Sequence, residues 1–267
     1  MLTQAVTLYA SFDDQVAADF GGGSLALSTR FNHPTEKGKF IFEPGFSSTA
    51  FRIAKNKGIS GGALEAVNVL PNNGRIFFPA KGNIAYKKGG WGGAVSLWLK
   101  TDPDTLLKTP FCDPVQITQK AANDGGIWVD FNKATPRDMR MGMFSFVREG
   151  QQPVSEDDPK APMVRVPRVG FKQTDWHHIV LSWDGYDSGK EATAQLYIDG
   201  KLIGALKEVI AMGWDIDKTG IYIAVNYIGL LDEFAVYSRP LTEAEVGMLH
   251  REPGVLSRLR KDGKKTR

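Results

Sequence analysis

Short segments in which apolar and polar residues alternate recur along this chain. The alternation is clear in 94–100, where Val95, Leu97 and Leu99 share one side while Ser96 and Trp98 share the other. Successive side chains of a β-strand point to opposite faces, so this period of two predicts strands with one buried face. The predicted strands are 6–12, 39–42, 50–53, 63–69, 75–78, 94–100, 115–119, 126–131, 140–147, 177–183, 193–198, 202–206, 220–225 and 228–237.

Turn residues between these segments indicate how neighbouring strands pair. Asp199 and Gly200 separate two alternating segments and both tolerate positive φ, which predicts a two-residue hairpin. The turn signal at 71–74 predicts that 63–69 and 75–78 form another antiparallel pair. We expect the strand 228–237 to close a two-sheet antiparallel sandwich beside the N-terminal strand.

One helix is marked by its N-terminal signals. Thr242 and Glu245 have the spacing of a capping box, and Leu241 and Val246 that of a hydrophobic staple. The pattern predicts a short helix that ends near His250. Residues 251–267 follow as a basic segment without an apparent apolar anchor, and we expect them to be a disordered tail.

Four motifs occur in an order that resembles a known family. They are WHHIV at 176–180, LYIDG at 196–200, LDEFAVY at 231–237 and LTEAEV at 241–246. The set resembles the bacterial branch of the laminin-G-like, concanavalin A-like jelly-roll family, over about residues 62–249. The resemblance implies an all-β jelly roll over residues 1–250, an extracellular or cell-surface location, and recognition of a glycan. Fold does not fix function, so the function stays an expectation.

Composition narrows the class of protein. The chain has 267 residues, 42% of them apolar and 24% charged, which is typical of one or two soluble globular domains. The net charge of +3 comes from the end of the chain, because residues 258–267 contain six basic residues and one acidic residue. We therefore expect no nucleic-acid partner beyond weak binding by the tail. No stretch approaches the ~20 apolar residues that a membrane-spanning helix needs, so we expect no membrane insertion.

Other segments carry weaker signals. Cys112 is the single cysteine, which excludes an intrachain disulfide and indicates a structural thiol. The N-terminus lacks the basic and apolar regions of a secretion signal, so either the protein stays inside the cell or a leader has been removed. Residues 148–162 are rich in Gln, Pro, Asp and Glu and predict an exposed insertion loop.

The sequence argues against a glycoside hydrolase. Retaining hydrolysis needs two carboxylates about 5 Å apart, which on one strand means acidic residues two or four positions apart. Asp232 and Glu233 are adjacent, so we expect them to point to opposite faces, and Asp130 stands alone on its strand. His177 and His178 are adjacent as well, and we interpret both as structural.

A calcium site is a separate hypothesis. If the first and last strands are neighbours, Asp13 or Asp14 approaches Asp232, and loop carbonyls complete the oxygen ligands that calcium prefers. The family resemblance also implies a structural calcium in this region. The alternative is that Asp13 and Asp14 only cap a turn.

Three aromatic residues are candidates for stacking against a sugar. Trp98, Trp128 and Tyr197 each lie opposite the core-facing residues of their strands, where a flat ring can contact a pyranose. Their predicted polar companions are Gln195, Asp130 and Lys100. This hypothesis requires the three strands to be neighbours in one sheet. The alternative is that the three rings are buried.

The sequence thus predicts a non-catalytic recognition domain, with a glycan as the expected partner. A structural or protein-interaction domain of a larger surface or extracellular assembly is the alternative. A glycoside hydrolase or lyase is the third possibility.

Overall fold

Two antiparallel β-sheets face each other in the computed structural model, which describes residues 2–119, 126–143, 158 and 161–265, with side chains as far as residue 260. Among these residues sheet A has nine strands and sheet B has eight. This two-sheet antiparallel arrangement confirms the predicted all-β jelly-roll class.

Sheet A contains the strands that the motifs predicted. Its strands are β1 (Val6–Ala10), β2 (Phe20–Gly21), β5 (Phe51–Ala54), β6 (Ala63–Ala66), β8 (Trp91–Lys100), β13 (His177–Tyr186), β14 (Glu191–Ile198), β15 (Lys201–Val209) and β17 (Gly229–Tyr237). They follow the order β15-β14-β13-β8-β17-β1-β2, and β6 pairs with β17 and β5 at the side. The predicted pairing of the first and last strands is confirmed, since Tyr9 lies opposite Ala235.

Sheet B combines six strands that the pattern predicted with two, β3 and β12, that it did not predict. Its strands are β3 (Ser28–Asn32), β4 (Phe40–Pro44), β7 (Arg75–Pro79), β9 (Cys112–Thr118), β10 (Ile127–Phe131), β11 (Met139–Met143), β12 (Met163–Val166) and β16 (Gly220–Val225). They follow the order β12-β11-β10-β9-β16-β7-β3-β4, so β4 is an edge strand.

The inner faces of both sheets form the main core. Leu97, Leu181 and Val236 of sheet A and Ile76 and Ile223 of sheet B are fully buried in it. Burial of apolar surface from both sheets provides the main driving force for this sandwich. The outward-facing residues of each strand therefore contact either solvent or another helix or loop of the chain.

Helices cover the outer face of sheet A. They are α1 (Leu2–Ala5), α3 (Glu243–Arg251) and α4 (Val255–Lys265), while α2 (Pro103–Leu106) lies between β8 and β9 in the chain. A second apolar cluster joins Tyr9, Val180 and Tyr237 of this face to Val246 and Leu249 of α3. The predicted capping box is confirmed: Thr242 accepts the N–H of Glu245, and the Glu245 carboxylate accepts the N–H of Thr242.

The predicted hairpin at Asp199 and Gly200 is also confirmed. Both residues have positive φ, at 51° and 78°, and Ile198 lies opposite Lys201. The Asp199 carboxylate accepts the backbone N–H of His178, which ties the turn to the neighbouring strand β13.

Two expectations differ from the structure. Segments 63–69 and 75–78 do not pair with each other, because β6 joins sheet A whereas β7 lies between β16 and β3 in sheet B. The expected disordered tail instead contains α4. Its first residues, Val255 and Leu256, are buried on sheet A and supply the apolar anchor that was not apparent in the sequence.

Two further predictions, the insertion loop and the absence of a membrane-spanning helix, can be compared only with the described residues. Of the predicted insertion loop 148–162, residues 158, 161 and 162 are among the described residues and the others lie outside them. None of the helices in the part of the chain that the structure describes is long and apolar enough to cross a membrane.

Candidate functional site

A groove of about 600 Å³ lies on the outer face of sheet B. We call it the sheet B groove, and it is lined by Arg30, Phe40, Phe42, Phe77, Pro79, Gln119, Asp217, Lys218, Thr219 and Tyr222. The strand period explains why its floor points outward. Ile76 and Phe78 are fully buried in the core, so Phe77 between them must face the other way. Tyr222 is placed in the same manner between Ile221 and Ile223.

Aromatic rings form a continuous row along the groove. The ring centroids of Phe40 and Phe42 are 6.4 Å apart, those of Phe42 and Phe77 6.0 Å, and those of Phe77 and Tyr222 5.4 Å. Phe40 and Phe42 are 44% and 60% exposed although they are large and apolar. Neighbouring exposed aromatics on a concave surface are typical of a binding site.

A guanidinium group lies beside this row. The Arg30 group is 4.3 Å from the ring centroid of Phe40 and 4.9 Å from that of Tyr222. Its Nη1 donates a hydrogen bond of 2.7 Å to the hydroxyl oxygen of Tyr222. Cation–π contacts of this kind fix both the rings and the charge.

Charged and polar groups form the rim of the groove at the turn before β16. Lys81 Nζ is 2.7 Å from the Asp217 carboxylate, and Lys218 Nζ is 2.8 Å from that of Asp215. Asp217 is the one acidic residue among the described residues that line the groove. The combination of apolar rings with amide, hydroxyl and charged groups suits a ligand that has both C–H faces and hydroxyl groups.

The predicted ligand residues of sheet A do not line an open site. The Trp98 ring is 6% exposed, because it lies 5.0 Å from the His178 ring and 5.5 Å from the His250 ring of α3. Tyr197 is 2% exposed under the helices, and its hydroxyl donates to Gln195 Oε1. The prediction of a solvent-open platform at Trp98 and Tyr197 is wrong, because α3 and α4 cover this face. Lys100 Nζ lies 5.9 Å from the Trp176 ring, away from the groove.

Trp128 and Asp130 belong to sheet B but are also buried. In the register Trp128 lies opposite Gln116, which lies opposite Tyr222, so Trp128 shares a row with the groove. It is only 1% exposed, and Asp130 accepts a hydrogen bond from Arg140 Nε. The expectation that Trp98, Trp128 and Tyr197 line one groove is therefore wrong, because their strands lie in two different sheets.

Asp232 and Glu233 do not point to opposite faces as predicted. Leu231 and Phe234 both lie in the inter-sheet core, and Glu233 has a φ of 51° in a bulge between Asp232 and Ala235. The bulge turns both carboxyl groups to the helix-covered side of sheet A. There Tyr9 Oη and the Gly254 N–H donate to Glu233. Burial raises the pKa of both carboxyl groups.

This acidic pair does not lie in an open cleft. The cavity beside Glu233 has a volume of only about 10 Å³, and residues 252–256 form part of its lining. Such a volume holds about one water molecule and excludes a sugar ring. The adjacent carboxylates therefore do not provide the substrate cleft that a glycoside hydrolase needs.

Asp13 and Asp232 approach the same glycine-rich loop. Asp13 Oδ1 accepts the N–H of Gly62 at 2.8 Å, and Asp232 Oδ2 accepts the N–H of Ser60 at 3.2 Å. A Cβ added to Gly58 or Gly61 would lie within 2.5 Å of one of these carboxylates, so the loop packs directly on them. Asp14 is exposed. Among the described residues no group of three or more His, Cys, Asp or Glu side chains is placed to hold a metal ion.

Structural contacts account for both adjacent histidines. His177 Nδ1 lies 2.9 Å from Asp199 Oδ2, and its ring stacks on Phe171. His178 is buried, with Nε2 2.9 Å from Ser96 Oγ. Cys112 is fully buried in the core, as expected of a structural thiol.

The candidate rings were taken from the strands with the clearest alternation of apolar and polar residues. The aromatic residues of the sheet B groove were therefore missed. The signal that identifies them is the pair Phe40 and Phe42, which share one side of a short predicted strand. Ile41 on the other side is also exposed, so this strand has no fully buried face to account for its aromatics.

A laminin G family model, described as the concanavalin A-like lectin/glucanases superfamily, matches residues 88–247. Domain 4 of AbnA, a GH43 extracellular arabinanase from Geobacillus stearothermophilus solved in complex with arabinotriose, is 17% identical, with a TM-score of 0.51. That similarity covers 92% of this chain and 99% of the arabinanase domain. No curated protein matches the sequence.

Toxin chains are also similar in structure. A chain of botulinum neurotoxin type C, whose cell entry depends on interaction with two ganglioside molecules, is 12% identical, with a TM-score of 0.57 and 94% of this chain covered. The binding domain of Paraclostridial Mosquitocidal Protein 1 is 16% identical, with a TM-score of 0.53 and 94% of this chain covered. This chain spans 51% and 52% of those two chains, and identities this low establish a shared fold only.

The buried His178 leads to a prediction about pH. Burial, and then the charge of His250, lowers the pKa of His178 to about 3. Below a pH of about 6.5 the unfolded chain binds a proton at this position that the folded chain does not, so stability is lost as the pH falls from about 6.5 towards 3. His178→Phe keeps a ring beside those of Trp98 and His250 but cannot titrate. Between pH 7.5 and pH 4.5, urea unfolding of H178F should lose less free energy than the wild type does, by on the order of 2 kcal/mol. Equal losses in the two proteins would contradict the assignment.

Proposed function

We propose that this chain, which belongs to the concanavalin A-like lectin/glucanase superfamily, is a non-catalytic domain that binds a glycan in the sheet B groove. The observation that carries the proposal is the row Phe40, Phe42, Phe77 and Tyr222, which is partly exposed along a groove of about 600 Å³. The domain would act as a lectin-type module.

The shape and chemistry of the groove support a sugar ligand. Aromatic faces gain dispersion and apolar contact when the C–H side of a sugar ring lies on them. The amide of Gln119 and the charged groups of Asp217 and Lys218 line the same groove and offer hydrogen-bonding partners for hydroxyl groups. A groove of this volume can hold an oligosaccharide of a few residues, because ligand sites in proteins measure about 300–1,000 Å³.

The structural neighbours support a glycan as the class of partner. The arabinanase domain was solved with arabinotriose, and the cell entry of botulinum neurotoxin type C depends on two ganglioside molecules. Both chains share the two-sheet fold with this one. The arabinanase is extracellular, which supports an extracellular or cell-surface location for this chain as well.

A binding role fits the acidic residues better than a catalytic one does. Asp217 is the one acidic residue among the described residues that line the groove, and the nearby Asp215 carboxylate is paired with Lys218 at 2.8 Å. Hydrolysis needs an acid and a second carboxylate that flank the scissile bond. The adjacent carboxyl groups of Asp232 and Glu233 are buried, at 0% and 7% exposed.

Substitution of one exposed ring tests the proposed groove. Phe42→Ala removes the most exposed ring of the row, and we expect the affinity for a glycan identified on an array to fall about tenfold. Ile41→Ala is the matched control, since Ile41 is the next residue on β4, is 38% exposed and lies on the opposite side of the strand. Binding to arrayed glycans is measured for wild type, F42A and I41A. Failure of the wild type to bind any glycan, or equal affinities of F42A and the wild type, would refute the proposal.

We also propose that a structural calcium ion is held by Asp13 and Asp232. Both carboxylates contact the loop 58–62, and the backbone carbonyls of Phe12 and Asp13 pack against Gly62 beside them. Calcium accepts such a mixture of carboxylate and carbonyl oxygens. Asp14 is exposed and contributes through solvent at most.

Calcium should raise the melting temperature. A ligand that binds only the folded state stabilises it by about 2.7 kcal/mol when its concentration is a hundred times Kd. Thermal melts in excess CaCl₂, in MgCl₂ and in EDTA measure the effect, and Asp13→Asn should abolish the calcium-dependent rise. Asp14→Asn serves as the matched control and should keep it. An identical melting temperature with and without calcium would exclude the site.

A further inference from the structure

Two arginines lie directly opposite each other at one end of the sheet B groove. Arg30 on β3 pairs in register with Arg75 on β7, so their side chains project from the same face. Like charges placed opposite each other on neighbouring strands repel and destabilise the sheet, and a bound anion would offset that repulsion.

Within the described part of the chain these two guanidinium groups have neutral partners. Arg30 donates to the hydroxyl oxygen of Tyr222. Arg75 donates to Gln116 Oε1 at 3.2 Å and to Asn73 Oδ1 at 3.4 Å. Neither guanidinium forms an ion pair with a described carboxylate, and the Nε atom of each is buried without a hydrogen-bond partner.

The Arg30 charge is also largely removed from solvent. Its side chain is only 7% exposed. Burial lowers the pKa of this guanidinium, and the neighbouring charge of Arg75 acts in the same direction. An arginine kept under these conditions without a carboxylate is costly to the fold, so a role in binding explains its presence better than stability does.

A second cleft of about 590 Å³ continues from the groove at this point. Arg30 and Phe40 line both spaces, and Arg75, Lys37 and Lys39 line the second one. The single acidic residue in this lining, Glu36, already forms an ion pair with Lys39. The aromatic row therefore leads directly into a space with excess positive charge.

We propose that the groove selects an acidic glycan, whose carboxylate or sulfate group is bound at Arg30 and Arg75 while its sugar rings lie on the aromatic row. This inference rests on the proposed function and specifies its ligand class. Planar guanidinium groups match the paired oxygens of carboxylates and sulfates, and an oxyanion there offsets two positive charges at once. A neutral sugar leaves both charges uncompensated.

Matched oligosaccharides test the inference. An array pairs each hexuronic-acid chain with its carboxyl-reduced form, and each sulfated chain with its desulfated form. We expect the wild type to bind at least one acidic chain about tenfold or more tightly than its neutral partner. The ratio of the affinities for the acidic chain and its neutral partner is compared between the carboxylated and the sulfated pairs. The type of pair with the larger ratio identifies the bound anion as carboxylate or sulfate.

Variants connect that preference to the two arginines. Arg75→Gln and Arg30→Gln should reduce the preference to less than threefold, and R75K should retain part of it. Lys201→Gln is the control, because it removes one positive charge from the exposed hairpin of sheet A. Arg75 is the less buried of the two arginines, so R75Q alone decides the result if R30Q fails to show a normal thermal melt.

The outcomes separate the two proposals. Equal affinity for acidic and neutral partners would overturn the selection of acidic glycans and leave glycan binding intact. A preference that R75Q preserves as fully as K201Q does would also overturn it. Absence of binding to every chain would refute glycan binding itself.

Discussion

Each sheet buries one face against the other, and the strand period of two then determines which side chains are left on the two outer faces. The packing of Ile76, Phe78, Ile221 and Ile223 in the core leaves Phe77 and Tyr222 no orientation except outward. The same constraint turns Trp98 and Tyr197 outward from sheet A. What distinguishes the two outer faces is whether another element covers them.

The chain covers the outer face of sheet A with its own C-terminal helices. Capping by Thr242 and Glu245 fixes the start of α3, and the apolar sides of α3 and α4 pack on Tyr9, Val180 and Tyr237. This coverage buries the Asp232–Glu233 pair and the stacked rings of Trp98, His178 and His250. On the outer face of sheet B, Phe40 and Phe42 are 44% and 60% exposed, so the aromatic row is left open to a ligand.

Local sequence signals predicted the strands and turns better than the partners of those strands. Asp199-Gly200 and the capping box at Thr242 are encoded by a few adjacent residues, and both are confirmed. The pairing of 63–69 with 75–78 was wrong because the turn signal at 71–74 is local, whereas β6 and β7 find their partners in different sheets far along the chain. The bulge at Glu233 is likewise invisible to strand alternation, since it depends on the contacts with Tyr9 and Gly254.

The same distinction explains the outcome for the binding residues. Alternation correctly placed Trp98 and Tyr197 on the side opposite the core, but coverage by α3 and α4 depends on helix docking, which alternation does not report. Phe40 and Phe42 lay in a predicted strand and were overlooked because that strand lacks a well-marked buried face. An aromatic pair at alternate positions on an edge strand was the one sequence feature that pointed to the groove.

The most direct test of this account is a crystal structure of the protein with the arrayed oligosaccharide that binds it best. We expect a sugar ring over Phe77 and Tyr222, in contact with Phe42. An oligosaccharide bound on sheet A or at the helical side, with the sheet B groove empty, would contradict it.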